Sequence, residues 1–470
     1  MTGQPQTLLD RLWSQHVVKR LSAAEDLIHV DRFFLHDLSG TIAIPDLRKR
    51  GLSMVSPELN FAVTDHAVST AVGRENHVDA KSRKYVFEMR DLMRDAGLRH
   101  FDISDADQGI VHVIGPELGL TLPGTTFLCT DSHTCTHGAL GALAWGVGQT
   151  DALHILATQT IVQGKPRSMR IRLDGKLPPA VFAKDVILAV IGRFGAGAGT
   201  GYAVEFAGPA VHAMLIEERL TLCNMAVELG SKTGIIAPDD VTIEYLHKRP
   251  YAPADSLWDD AVVAWRDLRT DDEANFDRDL TMDLSTLRPQ VTWGTSVDQV
   301  QPIDGRVPDP DAIAETKTRT AMTDALRYMD LQPNQSLDGL PVQHVFIGSC
   351  TNGRISDLKI AADIVRGRKV AAGVRAWVVP GSSSVKRLAE REGLDRVFKD
   401  AGFEWRESGC SMCSAVNDDV VARGERSIST TNRNFVGRQG PGSRTHLASP
   451  AVAAASALTG FITDPRKLNS

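Results

Sequence analysis

Three cysteines towards the end of the chain carry the strongest chemical signal. Cys410 and Cys413 form a C-x-x-C in Gly409-Cys410-Ser411-Met412-Cys413, and Cys350 stands upstream in Gly348-Ser349-Cys350-Thr351-Asn352. Two thiolates at that spacing reach one metal or cluster. The motif has three readings: half a zinc site, a redox dithiol, or part of an iron–sulfur site. An all-cysteine zinc site needs a fourth thiolate, and the chain has no second C-x-x-C. A thioredoxin-like dithiol would sit at a helix start in a small βαβ domain and leaves Cys350 without a role. The bland alternative is a pair of incidental thiols. Three thiolates around a cubane cluster would leave one iron without a protein ligand, and an exposed iron is a Lewis acid that takes a hydroxyl and a carboxylate oxygen together.

A second constellation lies in the first third: Thr64-Asp65-His66, Gly109-Ile110-Val111-His112-Val113 and Asp131-Ser132-His133, each at a strand-like run. One Asp-His pair alone usually fixes an imidazole tautomer for structural reasons, whereas three such elements ahead of the cysteines make coincidence less likely. His133 and His137 also form an H-x-x-x-H, without the glutamate or third ligand of a zinc hydrolase. The run Gly195-Ala196-Gly197-Ala198-Gly199-Thr200-Gly201 fails the G-x-G-x-x-G spacing and has no G-K-[ST] ending, so it reads as a tight turn that delivers Glu205 on the strand-like segment 202–206. Thr431-Asn432-Arg433-Asn434-Phe435-Val436-Gly437-Arg438 is a poor helix, which suits a loop gathering two guanidiniums for bidentate grip on carboxylates.

The elements that must position these residues read as α/β layering: apolar β-rich runs such as 345–348 and 376–379 alternate with amphipathic stretches such as 355–365 and 384–392. Short Gly/Pro/Ser segments end the strand-like runs, where α/β folds place their site residues. Boundaries are expected at Gln163-Gly164-Lys165-Pro166-Arg167 and in the charged, Pro-containing tract 267–310. A chain of 470 residues holds two or three packed units. The apolar fraction of 42%, the charged fraction of 23% and a net charge of −6 give no electrostatic footprint for nucleic acid. Residues 1–21 carry Leu8, Leu9, Leu12, Trp13 and Val17 at helical spacing, an amphipathic helix and not a signal peptide, and no apolar run approaches the ~18 residues that span a bilayer. A cytoplasmic protein with reduced thiols is expected, with Cys129, Cys135 and Cys223 as small buried residues.

Taken in order along the chain, these motifs, together with Gln108-Gly109-Ile110-Val111-His112, Gly199-Thr200-Gly201 and Leu222-Cys223-Asn224-Met225, resemble the large-subunit family of 3-isopropylmalate dehydratase in the aconitase superfamily. The resemblance runs nearly end to end. It implies three α/β/α domains, at 1–165, 166–285 and 286–470, around one 4Fe-4S cluster per chain held by Cys350, Cys410 and Cys413. It implies that Asp65, His66, His112, Asp131, His133 and Glu205 form the hydrogen-bonded shell for hydroxide and water, and that Ser132, Asn432, Arg433 and Arg438 serve the substrate carboxylates. The implied reaction is dehydration and rehydration interconverting 2- and 3-isopropylmalate in leucine biosynthesis. A fourth, swivelling domain with a serine base is expected from a small partner subunit, because the sequence ends at Ser470 soon after Arg438. Neither nucleic acid nor membrane is an expected partner. Where the family reads His-Glu-Val-Thr-Ser-Pro-Gln, this chain reads His36-Asp37-Leu38-Ser39-Gly40-Thr41-Ile42, so a substrate-facing glutamine becomes Ile42. That departure keeps open a paralogous hydratase for citramalate or dimethylmalate. A cluster-sensing RNA-binding regulator is a further alternative, disfavoured by the charge.

Overall fold

Runs such as Arg32-Phe33-Phe34-Leu35-His36 and Asn60-Phe61-Ala62-Val63 are buried almost throughout, the pattern of a parallel strand covered on both faces. The computed structural model describes residues 4–74 and 82–468, which divide between two compact units. Unit 1 takes Met1–Ala67, Val78–Lys176 and Gly197–Asp283; unit 2 takes Val68–His77, Leu177–Ala196 and Leu284–Ser470.

Unit 1 contains two parallel sheets. The first has five strands, β1 (Arg32–His36), β2 (Asn60–Val63), β3 (Arg99–Phe101), β4 (Thr126–Cys129) and β5 (Leu143–Gly146), in the order β3-β2-β1-β4-β5. Phe34 stacks between Phe61 and Phe127, at centroid distances of 5.0 and 5.1 Å, and fixes the register of the three central strands. The second comprises β6 (Arg167–Asp174), β7 (Tyr202–Ala207), β8 (Thr233–Ile235) and β9 (Arg278–Asp283), in the order β8-β7-β6-β9. The tract 267–310, read above as a boundary, holds the step from unit 1 at Asp283 to unit 2 at Leu284, and its Arg278–Asp283 segment pairs along β6, with Arg170 Nε donating to Asp279 at 3.0 Å across the strands.

The first helix is Leu8–His16, started by a capping box between Thr7 and Asp10 and anchored by buried Leu8, Leu9, Leu12 and Trp13. It is shorter than its sequence pattern suggests. The consecutive β-branched Val17 and Val18 go instead into a strand, Val17–Arg20, antiparallel to Asp26–His29.

Unit 2 is built on five parallel strands, β10 (His344–Ile347), β11 (Arg375–Val378), β12 (Glu404–Trp405), β13 (Arg426–Ser429) and β14 (Arg444–Leu447), in the order β12-β11-β10-β13-β14. Both five-stranded sheets therefore start at the middle strand, extend to one edge, and then restart on the other side. The gap outside the carboxyl ends of the two strands flanking that reversal is where doubly wound sheets bind ligands. Among the described residues no helix is long and apolar enough to cross a membrane.

Candidate active site

In unit 1 the reversal lies between β1 and β4. The chain leaving β4 gives Asp131, which N-caps the 3-10 segment Ser132–Leu140 by accepting from His133 N at 2.7 Å. Leaving β2, it gives Asp65 and His66. Asp65 accepts from His66 Nδ1 at 2.7 Å and from Val111 N, at the start of helix Val111–Glu117, at 3.1 Å. Asp131 then meets His66 Nε2 at 2.9 Å and the buried His112 Nε2 at 3.1 Å. Each ring nitrogen of His66 thus faces a carboxylate, an arrangement that holds and passes a proton. Burial alone would raise the Asp131 carboxyl, but the charge of His112 and the hydrogen bonds from His112, His133 and His66 hold it well below the usual range.

Five of the six expected shell residues, Asp65, His66, His112, Asp131 and His133, are brought together. Glu205 is not. It lies on β7, nearly buried, in a separate cleft of about 410 Å³ lined also by Arg170, Arg172, Arg269 and Thr270, and accepts from Thr270 Oγ1 at 2.7 Å. Burial pushes it up to about 7. The carboxylate that meets the shell is Glu228, on the 3-10 turn Met225–Leu229, whose Oε1 is 2.8 Å from His133 Nε2. Ser132 is exposed beside it, with Oγ 3.4 Å from His133 Nδ1. His137, weighed above as half of a zinc pair, instead backs His112, Nε2 to Nδ1 at 3.1 Å, and meets Thr121 Oγ1 at 2.6 Å.

The sequence reading also passed over His36 and Asp37 at the end of β1. Their signal was the same as that of the other pairs, an Asp-His neighbourhood closing a strand. The His36 ring lies 4.6 Å from that of His66, and burial followed by the charge of His66 pushes it down to about 4. Asp37 accepts from the backbone N–H of His66 and Ala67 at 3.3 and 2.7 Å, and burial followed by the charge of Asp65 pushes it up to about 7.

In unit 2 the equivalent reversal lies between β10 and β13. Leaving β10, the chain turns at Ser349, φ 73°, to give Cys350; leaving β13, it gives Asn432 and Arg433. Asn432 joins two of the thiols, donating from Nδ2 to Cys350 Sγ at 3.3 Å and accepting from Cys413 Sγ at 3.5 Å. Cys410 opens the 3-10 turn Ser411–Cys413. That turn is tied down by Asp419, which accepts from Ser411 Oγ at 2.8 Å, Thr70 Oγ1 at 2.6 Å and Arg406 Nη2 at 2.5 Å. Arg438 Nη2 is 4.0 Å from Cys413 Sγ, its Nε is buried with no partner, and Arg433 lies partly buried on the same loop. Three buried thiols, two of them hydrogen-bonded to one carboxamide, beside an arginine with an N–H to spare, fit a soft sulfur-ligated group with an anionic ligand next to it.

Residues 10–460 match the model of the Aconitase family (aconitate hydratase). The chain belongs to the aconitase family. It is 57% identical to the 3-isopropylmalate dehydratase large subunit 1 of Bradyrhizobium diazoefficiens, over 98% of this chain and 97% of that one. It is 49% identical to the 3-isopropylmalate dehydratase large subunit of Roseiflexus castenholzii, over 98% and 99%. Among solved structures it is similar to aconitase X of Thermococcus kodakaraensis, with a TM-score of 0.47 and 10% identity over 91% of this chain and 89% of that chain. Aconitase-family membership makes the chain a hydro-lyase and implies an iron–sulfur cluster.

Ile42, the departure from the family pattern, sits on helix Asp37–Lys49 and is 50% exposed. The two nearby hydroxyls that could replace a glutamine donor are committed elsewhere: Ser39 Oγ donates to His36 O at 2.9 Å and pairs with Thr130 Oγ1 at 2.6 Å, and Thr41 Oγ1 donates to Asp37 O at 3.2 Å.

Proposed function

We propose that this chain is the large subunit of a two-chain hydro-lyase that interconverts 2- and 3-isopropylmalate, as in leucine biosynthesis, by dehydration and rehydration at a 4Fe-4S cluster. The observation that carries the reading is similarity over nearly the whole chain to two proteins named for that activity, at 57% and 49% identity. Cys350, Cys410 and Cys413 hold the cluster. When bound, it supplies a Lewis-acidic iron that weakens the carbon–oxygen bond of a 2-hydroxy acid. Removing water needs one proton delivered to the departing hydroxyl and another taken from the neighbouring carbon. The first is held in the His66–Asp131–His112 network, with Glu228 setting the orientation of His133. Arg433 and Arg438, helped by Asn432 and Ser132, bind the substrate carboxylates and so offset charge that develops as the carbon is deprotonated. The base for that step is assigned to a serine of the small subunit, a partner supported by the words "large subunit" in the relatives' names. The division into domains at 1–165, 166–285 and 286–470 is supported by the three parallel sheets, one in each stretch.

The test is turnover of 2- and 3-isopropylmalate, citramalate and dimethylmalate by the chain purified anaerobically with its small subunit. Isopropylmalate is the expected best substrate by kcat/KM. A higher value for citramalate or dimethylmalate would assign the chain to the paralogous hydratases, and no turnover of any of them would overturn the reading.

A further inference from the structure

Lys184 is 1% exposed, and its position is a costly one for a cation. It lies in the first turn of helix Ala183–Phe194, where the helix dipole opposes positive charge, and a buried ammonium survives only with close compensation. Its partners all belong to the two loops that leave β10 and β13. Nζ donates to Thr430 O at 2.8 Å, to Thr431 O at 2.5 Å and to Asn352 Oδ1 at 3.4 Å. Those atoms stand two residues from Cys350 on one loop, and one and two residues before Asn432 on the other. Burial pushes the amine down to about 7, against the pull of the acidic groups that face it, Cys413, Asp357, Cys350 and Asp185. Asp185 is taken up by the backbone N–H of Phe182 and Gln290, at 3.0 and 2.8 Å, and Asp357 by Asn352 Nδ2 and Arg354 N, at 2.9 and 3.1 Å. Besides those two carboxyls, the charge serves the sulfurs of Cys413 and Cys350. A neutral donor would satisfy the carbonyls as hydrogen-bond acceptors; a positive charge matters for an anionic group near them.

We propose that Lys184 is a positioning residue for the cluster. Its ammonium clamps the loops of Cys350 and Asn432 and, when protonated, places a positive charge beside the sulfur site, favouring the more negative, reduced state of whatever the three thiolates hold. This inference rests on the cluster reading of those thiols.

The test compares Lys184→Gln, Lys184→Met and Lys184→Arg with wild type in the full chain with its small subunit, reconstituted anaerobically with iron and sulfide. Three quantities are read: iron and sulfide bound per chain, the midpoint potential followed by the cluster's paramagnetic signal, and the melting temperature of the cluster-free chain. The neutral variants are expected to fold without the cluster, to hold it less firmly, and to show a more negative potential. Lys184→Arg is expected to keep the wild-type potential. A wild-type potential in a neutral variant would overturn the inference, as would failure of both neutral variants to fold, which would make Lys184 a plain structural clamp. Absence of bound iron in the wild type would overturn the cluster reading itself.

Discussion

Replacing Asp131 with Asn tests the proton-handling network at its centre with little change in size. The carboxylate lies 2.9 Å from His66 Nε2 and 3.1 Å from His112 Nε2 and accepts from His133 N at 2.7 Å. A carboxamide keeps one acceptor oxygen and turns a donor towards one of the two imidazoles, and it removes the charge that stabilises them as proton carriers. Each charge-assisted hydrogen bond is worth about 1.5–3 kcal/mol, and the backbone bond from His133 can survive at the remaining oxygen. Loss of the two imidazole contacts bounds the effect at roughly 3–6 kcal/mol; relaxation of the rings gives back part of this, which leaves a fall in kcat of about 10²–10⁴. KM should move only a few-fold, as expected of a group that acts in the transition state and leaves carboxylate binding to the arginines. Iron content should stay at the wild-type level, because Asp131 is not one of the three proposed thiolate ligands. Steady-state kinetics on 3-isopropylmalate with the small subunit present, alongside iron and sulfide analysis, checks all three. Wild-type kcat in an Asp131→Asn chain with full iron would refute the reasoning.

Cys410→Ser or Cys413→Ser should abolish the brown chromophore of anaerobically purified protein, and retention of iron and activity in either, or zinc in the fresh wild type, would count against the cluster. Glu228→Gln should lower kcat by about 10² or more, while Glu205→Gln leaves it within a few-fold, since only Glu228 touches the histidine shell. The Glu205 pair also has a pH signature: a carboxyl raised from 4.5 to about 7 contributes stability that is full below 4.5 and lost as pH rises through 7. The melting temperature of Glu205→Gln should therefore gain on wild type between pH 5 and pH 8, and a pH-independent gap would show that Glu205 does not titrate in this way. The chain alone, loaded with cluster, should turn over far more slowly than the complex, and equal rates would remove the small subunit from the chemistry. Ile42→Gln should raise kcat/KM for isopropylmalate by about 10- to 100-fold, the worth of one charged hydrogen bond; an efficient wild type undisturbed by the change would deny position 42 any part in specificity.

The α/β layering and the strand-end loops were legible because their signals are local. The helix expected at 355–365 is Ile355–Val365, and the stretch expected at 384–392 is Ser383–Arg391, each an amphipathic run between turn residues. The Asp-His pairs and the cysteines could be read because each is announced by its own strand and turn. Glu228 could not, since in Met225-Ala226-Val227-Glu228-Leu229 it is the lone polar residue of an apolar run, which reads as the wet position of a helix. Its role appears only when a 3-10 turn brings it against His133, 95 residues earlier. Glu205 enters the shell only through the family resemblance, in which a glycine-rich lead-in precedes it. That lead-in has a packing reason of its own: a Cβ at Gly199 would lie 2.9 Å from the backbone N of Ser231.

Burial of charge does not by itself mark a working group, and unit 1 supplies its own contrast. Arg219, 0% exposed, is gripped in two-pronged fashion by Asp239 at 2.8 and 2.7 Å and donates further to Met214 O and His212 O, both at 3.2 Å. Asp239 in turn caps helix Asp240–Leu246. A guanidinium is a donor with no lone pair to accept a proton, so the pair fixes a helix end. Asp131 is as well satisfied, but its partners are imidazoles, side chains that can both donate and accept a proton, and they sit where the sheet order reverses. The same reversal in unit 2 gathers sulfur and arginine instead. Identical strand order has thus placed imidazoles and carboxylates at one mouth and thiols and guanidiniums at the other, the two kinds of group that the proposed removal of water from a hydroxy acid would use.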